Sequence, residues 1–137
     1  MIRVVLDTNI IVSALLQPLG PPAQVFLLAL GDTVRMCVSG SIFAEYEEVI
    51  RRPRLRRTEE TILSALETIR TRATWVKPSE PVRACFDPDD DVFLECAQAS
   101  GASYLVTGNA RDFPLRWIAT EVVTPRQFLE IVAARLP

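Results

Sequence analysis

Acidic side chains are the residues of this sequence whose spacing suggests chemistry. The segment 84–99, "ACFDPDDDVFLECAQA", carries four carboxylates within five positions, at Asp87, Asp89, Asp90 and Asp91. The chain of 137 residues contains no histidine, which excludes His-based acid–base catalysis, Ser-His-Asp triads and His-ligated zinc. Hydrolytic chemistry would therefore have to use carboxylates, a metal ion and water.

These acids must be positioned by a fold in which short apolar runs alternate with helical patterns. Strands are predicted at 2–6, 34–38, 74–76, 103–107 and 120–124. Helices are predicted at 9–16, 22–30, 39–52, 58–72, 88–100 and from Thr124 onward. The alternation predicts an α/β fold, a sandwich of helices and a mostly parallel sheet, formed by a single domain over 1–137.

Composition narrows the class of protein further. Apolar residues make up 49% of the chain, enough for a core, yet no apolar run approaches the roughly 18 residues that a membrane span needs. The N-terminus passes directly into a strand-like run without a charged leader, so a cytoplasmic protein without a membrane partner is expected. Three cysteines, Cys37, Cys85 and Cys96, form no CxxC pair and are predicted to stay reduced.

Polar residues follow two of the predicted buried strands. Asp7, Thr8 and Asn9 come directly after the first strand, and Thr107, Asn109 and Asp112 come at or after the end of the fourth. Ligands in parallel sheets bind beyond the carboxyl ends of the strands, so these side chains are expected at one edge. Asp7 has an alternative role as an ordinary helix N-cap.

Helical phase separates the four clustered acids. Asp90 precedes Phe93, Leu94 and Ala97 at helical spacing, so it borders the predicted buried face. Asp87 before Pro88 is typical of a cap. Asp91 shares a face with Glu95 and Gln98 and is predicted to point toward water. The phase leaves Asp89 ambiguous.

Two further groups of charges are open to more than one interpretation. Glu45 and Glu47 both flank the apolar face of the third predicted helix, and periodicity does not choose between them. Acids that converge without histidine or an obvious lysine partner require a cation, and the hard ions Mg²⁺ or Mn²⁺ prefer oxygen ligands. The Arg-rich stretch 51–57 could contact the backbone of a nucleic acid, or could form a solvated helix end favoured by the dipole; its members are Arg51, Arg52, Arg54, Arg56 and Arg57.

Four segments, taken together and in order, resemble those of PIN-domain proteins. They read "VVLDTNIIVSALL", "SGSIFAEYEEVI", "DPDDDVFLECAQASGASYLVTGNARDF" and "VVTPRQFL", and they cover nearly the whole chain. The form with "EYEEVI", "DPDD" and "LVTG" is similar to bacterial toxin components of toxin–antitoxin systems related to VapC. The resemblance implies a Rossmann-like fold, three α/β/α layers and a metal-dependent ribonuclease.

The resemblance also assigns residues. It implies that Asp7, Glu45 and Asp90 are catalytic metal ligands, and it selects Glu45 over Glu47 through the spacing from Ser39. Where many relatives have a fourth aspartate this chain has Asn109, so Asp112 is expected to supply the charge. Asn9, Ser13, Thr107 and Asn109 are expected to support the site.

The implied function is Mg²⁺- or Mn²⁺-dependent hydrolysis of RNA phosphodiester bonds by an endonuclease. The implied partners are an RNA substrate, a cognate antitoxin protein and a second copy in a homodimer. The alternative is a catalytically weak or inactive PIN-like module that binds RNA or a partner protein. A phosphotransfer receiver or phosphatase domain would also gather acids at strand ends, but the single lysine, Lys77, follows the weak third strand.

Overall fold

The strands form one six-stranded sheet. The structure, a computed structural model, describes residues 1–135. Its strands are β1 (Ile2–Leu6), β2 (Val34–Val38), β3 (Thr74–Trp75), β4 (Tyr104–Val106), β5 (Arg116–Trp117) and β6 (Thr120–Val123). They are arranged in the order β3-β2-β1-β4-β6-β5. All neighbouring pairs are parallel except β5 with β6, so the predicted mostly parallel sheet is confirmed.

Six α-helices accompany the sheet within residues 1–135. They are α1 (Thr8–Leu16), α2 (Pro21–Ala29), α3 (Gly40–Ile50), α4 (Glu59–Arg72), α5 (Asp91–Ser100) and α6 (Pro125–Arg135). Adjacent residues of a strand point to opposite faces of the sheet, and Val4, Val5 and Leu6 are all fully buried. Both faces of the central strands are therefore covered, as an α/β/α sandwich requires.

Local signals explain where several helices begin. Ser39 caps α3 by accepting the backbone N–H of Ile42 at 3.2 Å. Thr124 and Gln127 form the reciprocal capping box before α6, with contacts of 2.9 and 3.2 Å. Asp87 accepts the backbone N–H of Asp89 at 2.9 Å, as its predicted cap role requires. Each bond satisfies a backbone N–H that the helix itself leaves without an acceptor.

Several predicted element bounds need correction; the fourth strand is Tyr104–Val106 rather than 103–107, and the third helix is Gly40–Ile50 rather than 39–52. The predicted helix 88–100 begins as a 3-10 turn at Pro88–Asp90, and only Asp91–Ser100 is α-helical. The third strand is two residues long, Thr74–Trp75, rather than three. The antiparallel edge strand β5 was missed, because two residues are too short to show any periodicity.

The cysteine prediction is confirmed. All three cysteines are free, and Cys37 and Cys96 are buried. Burial, with a smaller contribution from Cys37, raises the pKa of Cys96 to about 12. Within residues 1–135 no single helix is long and apolar enough to cross a membrane; α1 and α2 reach that length and composition only as a pair, bent by 113°.

Candidate metal and active site

Asp7 directly follows the carboxyl end of β1 and lies beside the carboxyl end of β4. Its backbone N–H donates to the carbonyl of Val106 at 3.0 Å, which ties the two strand ends together. The Thr107 hydroxyl donates to Asp7 Oδ2 at 2.7 Å, and the Thr8 backbone N–H donates to Oδ1 at 2.7 Å. The carboxylate is thus oriented by donors from both strand ends. It also serves as the N-cap of α1.

Asn9 connects the same two loops. Its side-chain amide donates to Asp7 Oδ2 at 3.2 Å, and its carbonyl oxygen accepts the N–H of Gly108 at 3.1 Å. The Asn109 backbone N–H donates to the Thr107 hydroxyl oxygen at 3.0 Å. The chain of hydrogen bonds fixes Thr107, and through it the Asp7 carboxylate. Ser13, one helical turn further along α1, lines the neighbouring cleft.

The structure distinguishes Glu45 from Glu47. The Thr8 hydroxyl donates to a Glu45 carboxylate oxygen, which holds Glu45 beside Asp7. Glu47 instead forms an ion pair with Arg51 at 3.3 Å on the exposed side of α3. The buried Tyr46 hydroxyl donates to the carbonyl of Leu6, so α3 is fixed against the end of β1. Glu45 therefore faces the carboxyl edge of the sheet, and Glu47 faces solvent.

Two carboxylates at this edge of the sheet, Asp7 and Asp90, have raised pKa values. Burial raises the pKa of Asp7; hydrogen bonds from Thr107 and Thr8 lower it, and the charges of Glu45 and Asp112 raise it again. Burial raises the pKa of Asp90 to about 6, helped by the charges of Asp7, Asp87, Asp112 and Glu45. Asp112 is exposed and ends the 3-10 turn Ala110–Asp112. Mutual repulsion of this kind makes the fully ionised cluster unfavourable without a counter-charge.

The donor set fits a hard divalent cation. These carboxylates offer oxygen, the ligand that Mg²⁺ and Mn²⁺ prefer. In residues 1–135 no three acidic, cysteine or histidine side chains approach closely enough to enclose an ion on their own. Mg²⁺ commonly keeps several waters and takes only one or two protein carboxylates. An open set of separated carboxylates therefore suits a hydrated ion that is shared with a ligand.

A cleft of about 570 Å³ opens beside these acids. Its lining includes the acids Glu45 and Asp90 and the arginines Arg52 and Arg54. The complete lining is Thr8, Asn9, Val12, Ser13, Glu45, Glu48, Val49, Arg52, Arg54, Asp87, Asp89 and Asp90. Asp89 is exposed at this cleft. The cleft thus places acidic and basic groups in one open cavity.

The five arginines of the stretch 51–57 are not equivalent. Arg51 pairs with Glu47 at 3.3 Å and with Glu59 at 2.8 Å, which joins the end of α3 to the start of α4. Arg52 pairs with Glu48 at 2.9 Å. Within residues 1–135, Arg54, Arg56 and Arg57 form no ion pair. Of these three, only Arg54 lines the cleft.

The prediction that Asp91 points toward water is wrong. Asp91 is buried, and its Oδ1 accepts the backbone N–H groups of Ala84 and Cys85 at 3.1 and 2.8 Å. Burial raises the pKa of Asp91, but these hydrogen bonds outweigh it, and the net pKa is lowered. Glu95 on the same helical face accepts the N–H of Val82 at 2.9 Å. This face of α5 anchors the loop that leads to the acidic cluster.

Sequence reasoning missed this anchor because the polar stripe looked like a solvated face. The available signal was the loop itself. Residues 77–87 contain no strand or helix, so their backbone N–H groups need acceptors from elsewhere. Carboxylates spaced along one face of the following helix are suitable acceptors. Thr8 and Tyr46 were missed as positioning residues for a different reason, since each acts through a contact that only the folded chain creates.

The fold and the acidic edge together define an α/β protein with a carboxylate cluster beyond its parallel strands. The profile of the PIN-domain family matches residues 3–111. The chain therefore belongs to the PIN-domain family.

One relative by sequence and two solved structures are similar to this chain. An uncharacterized protein of Methanocaldococcus jannaschii is 30% identical over 141 residues, covering 94% of this chain and 90% of the relative. A chain of the VapBC2 complex of Rickettsia felis, bound to a DNA fragment from their promoter, superposes with a TM-score of 0.60 at 17% identity, covering 90% of this chain and 98% of that one. A chain of DNA-bound VapBC from Salmonella typhimurium gives 0.61 at 19% identity, covering 91% and 99%. The two structures show that the fold is shared.

Proposed function

We propose that this PIN-domain protein is a divalent-cation-dependent endoribonuclease that hydrolyses phosphodiester bonds of RNA. The observation that carries the proposal is the group of carboxylates Asp7, Glu45, Asp90 and Asp112, among which the pKa values of Asp7 and Asp90 are raised, beside a cleft that also contains arginine. Acids alone would repel an RNA backbone. Acids that share a cation, together with basic side chains, would attract it.

The bound ion and the side chains of this protein would have separate roles in the reaction. Asp7 and Asp90 would hold Mg²⁺ or Mn²⁺, with Glu45 and Asp112 completing the negative charge. The bound ion supplies charge neutralisation at the phosphate and a lower pKa for water. Thr107 and Asn9 fix Asp7 Oδ2, while Thr8 occupies one oxygen of Glu45. The other oxygen of Glu45 would be available to accept a proton from the attacking water.

The test is cleavage of a panel of single-stranded RNAs by the purified protein. We expect discrete fragments with Mg²⁺ or Mn²⁺ and intact RNA with EDTA. A protein that binds the RNAs but leaves them intact under both conditions would contradict the nuclease proposal. It would favour the alternative of a non-catalytic module, for which Asn109 at the fourth acidic position of many relatives is the supporting observation.

Arg52 and Arg54, the two arginines that line the cleft, are proposed to contact the RNA backbone. Replacing Arg54 by alanine is expected to weaken RNA binding and to lower the slope of log affinity against log salt by about 0.7, the value for one phosphate contact on a single strand. Anisotropy titrations with labelled RNA at several salt concentrations measure both quantities.

Arg51→Ala is the matched control for this prediction. Because Arg51 is engaged by Glu47 and Glu59, its removal should leave the salt slope unchanged. The same loss of slope in both variants would indicate a diffuse charge effect. An unchanged slope in Arg54→Ala would remove Arg54 from the RNA contact.

We further propose that the protein is the toxin component of a toxin–antitoxin system. The shared fold with chains of two VapBC complexes supports it. On this view the protein acts on RNA in the cytoplasm, forms a homodimer and is restrained by an antitoxin protein encoded in an adjacent reading frame. Co-expression with the product of that frame should yield a complex that no longer cleaves RNA, and loss of inhibition by that product would refute the pairing.

A further inference from the structure

Phe86 is an aromatic side chain held in full contact with solvent. It is completely exposed, although the chain segments on both sides of it are fixed. On one side, the N–H groups of Ala84 and Cys85 are bound by Asp91. On the other side, the carbonyl of Asp87 accepts the N–H of Asp90 at 3.0 Å. The exposed ring therefore lies on a segment of backbone that is fixed by hydrogen bonds, and the fold itself keeps the ring in solvent.

Phe86 directly precedes a residue that lines the cleft described above, although the ring itself is not part of the lining. Asp87 lines that cleft, and the Cα atoms of consecutive residues are about 3.8 Å apart. The same cleft contains Arg52 and Arg54. Basic side chains that follow the backbone, combined with an aromatic ring that stacks on a base, are the recurrent means of binding single-stranded nucleic acid. An exposed ring one residue away from a cleft that contains arginines therefore suggests a ligand for the ring.

A nucleobase fits this position better than a protein surface does. The exposed residues that flank Phe86 in the sequence are charged or conformationally fixed, namely Arg83, Asp87, Pro88 and Asp89. The buried centre of a protein–protein interface is depleted of charged residues. A single ring surrounded by charges does not form the contiguous apolar patch that marks such an interface. A flat nucleobase can stack on one isolated ring, and the phosphates of the same RNA strand can extend toward Arg52 and Arg54.

We propose that Phe86 is the stacking platform for an unpaired nucleobase of the RNA whose backbone crosses the acidic site. The inference rests on the proposed function and specifies the substrate as single-stranded. An unpaired base leaves its face accessible, whereas a base inside an A-form duplex is stacked on both sides. The protein should accordingly bind single strands more tightly than duplexes of the same sequence.

The test measures binding rather than cleavage. A fluorescein-labelled single-stranded RNA of about 12 nucleotides is titrated with protein that carries Asp90→Asn, so that it stays intact. Adding Phe86→Ala should weaken binding about 5- to 100-fold, the range for removal of one stacked base. Phe86→Trp should retain affinity. Phe86→Leu, which keeps an apolar group without a π face, should lose about as much as the alanine variant.

Two controls localise the effect. Leu27→Ala removes another exposed apolar side chain, on α2 beside the start of β2, and should leave affinity unchanged. An RNA series with a single abasic position should contain one member for which Phe86 and Phe86→Ala bind equally. That member identifies the stacked base through a double-mutant cycle.

The proposal is overturned if Phe86→Ala binds RNA as well as Phe86, or if Phe86→Leu retains full affinity. It is also overturned if Phe86→Ala changes only the molar mass in light scattering, which would assign the ring to a protein contact. A different result would contradict the nuclease proposal alone. In that case the unaltered protein would not cleave RNA with divalent ions, but its RNA binding would still depend on Phe86.

Discussion

Replacing Asp7 by asparagine is expected to reduce RNA cleavage by at least about 100-fold, the effect typical of losing one charge-stabilising group from an active site. The fold should survive, because asparagine caps a helix about as well as aspartate and has nearly the same size. Its side-chain oxygen can still accept the N–H of Thr8, and its amide can donate to the hydroxyl oxygen of Thr107. Initial rates of cleavage, with circular dichroism as the check on folding, measure the effect.

Asp90→Asn should cause a loss of similar size, since the two carboxylates would share the cation. Asp32→Asn is the matched control. Asp32 is exposed and its only described partner is Arg35, at 3.4 Å on the surface. RNA cleavage that persists at the original rate in Asp7→Asn or Asp90→Asn would exclude this carboxylate cluster as the active site.

Asp91→Ala is expected to produce a large loss of stability. The carboxylate accepts two backbone N–H groups from the loop before α5, and a hydrogen bond to a charged group contributes about 1.5–3 kcal/mol. We therefore expect the free energy of unfolding to fall by about 3 kcal/mol or more. Urea denaturation at neutral pH without divalent ions measures it. An unchanged midpoint would show that the loop does not depend on this anchor.

The neighbouring residue should respond with the opposite sign. In the absence of divalent ions, Asp90→Asn should raise the unfolding temperature, because it removes a carboxylate whose pKa is raised by burial and by four nearby acids. The comparison of Asp90→Asn with Asp91→Ala is internally controlled, since the residues are adjacent in sequence. A decrease in both variants would contradict the distinction between a repelled carboxylate and an anchoring one.

The contribution of Asp91 should also depend on pH in a defined direction. Its pKa is lower in the folded chain than the ordinary value of 3.8, so the folded state favours the ionised form. The stabilisation is therefore complete above that ordinary value and is lost as the pH falls through the lowered folded-state pKa. The difference in stability between the unaltered protein and Asp91→Asn should shrink over the same range.

Much of the fold could be predicted from sequence because its central elements have strong patterns. The run "IRVVL" is short, continuous and apolar, as a strand buried on both faces must be. The capping signals at Ser39, Thr58 and Thr124 indicate where three helices begin. The weaker elements were less predictable. The strand β5 spans two residues and depends on pairing with β6, and the first turn of the helix near Asp90 is 3-10 because Asp87 and Pro88 organise it.

The candidate site was predictable only in part. Strand ends correctly brought Asp7 and Thr107 to one edge of the sheet, because parallel order fixes where carboxyl ends meet. Helical phase misplaced Asp91, since periodicity distinguishes buried from exposed faces but does not show whether a loop folds over a polar face. Periodicity left Glu45 and Glu47 open, and only the resemblance selected Glu45; the Thr8 contact, which joins residues 37 positions apart, holds Glu45 beside Asp7.

Titration with Mn²⁺, followed by the electron paramagnetic resonance signal of the free ion, tests the central claim most directly, because it requires no knowledge of the RNA. If the carboxylate cluster is a divalent-cation site, the unaltered protein should deplete free Mn²⁺ and Mg²⁺ should compete. Asp7→Asn and Asp90→Asn should bind much more weakly, and Asp32→Asn should bind normally. Equal Mn²⁺ binding by all four proteins, or binding by none, would contradict the assignment of this cluster as a metal site.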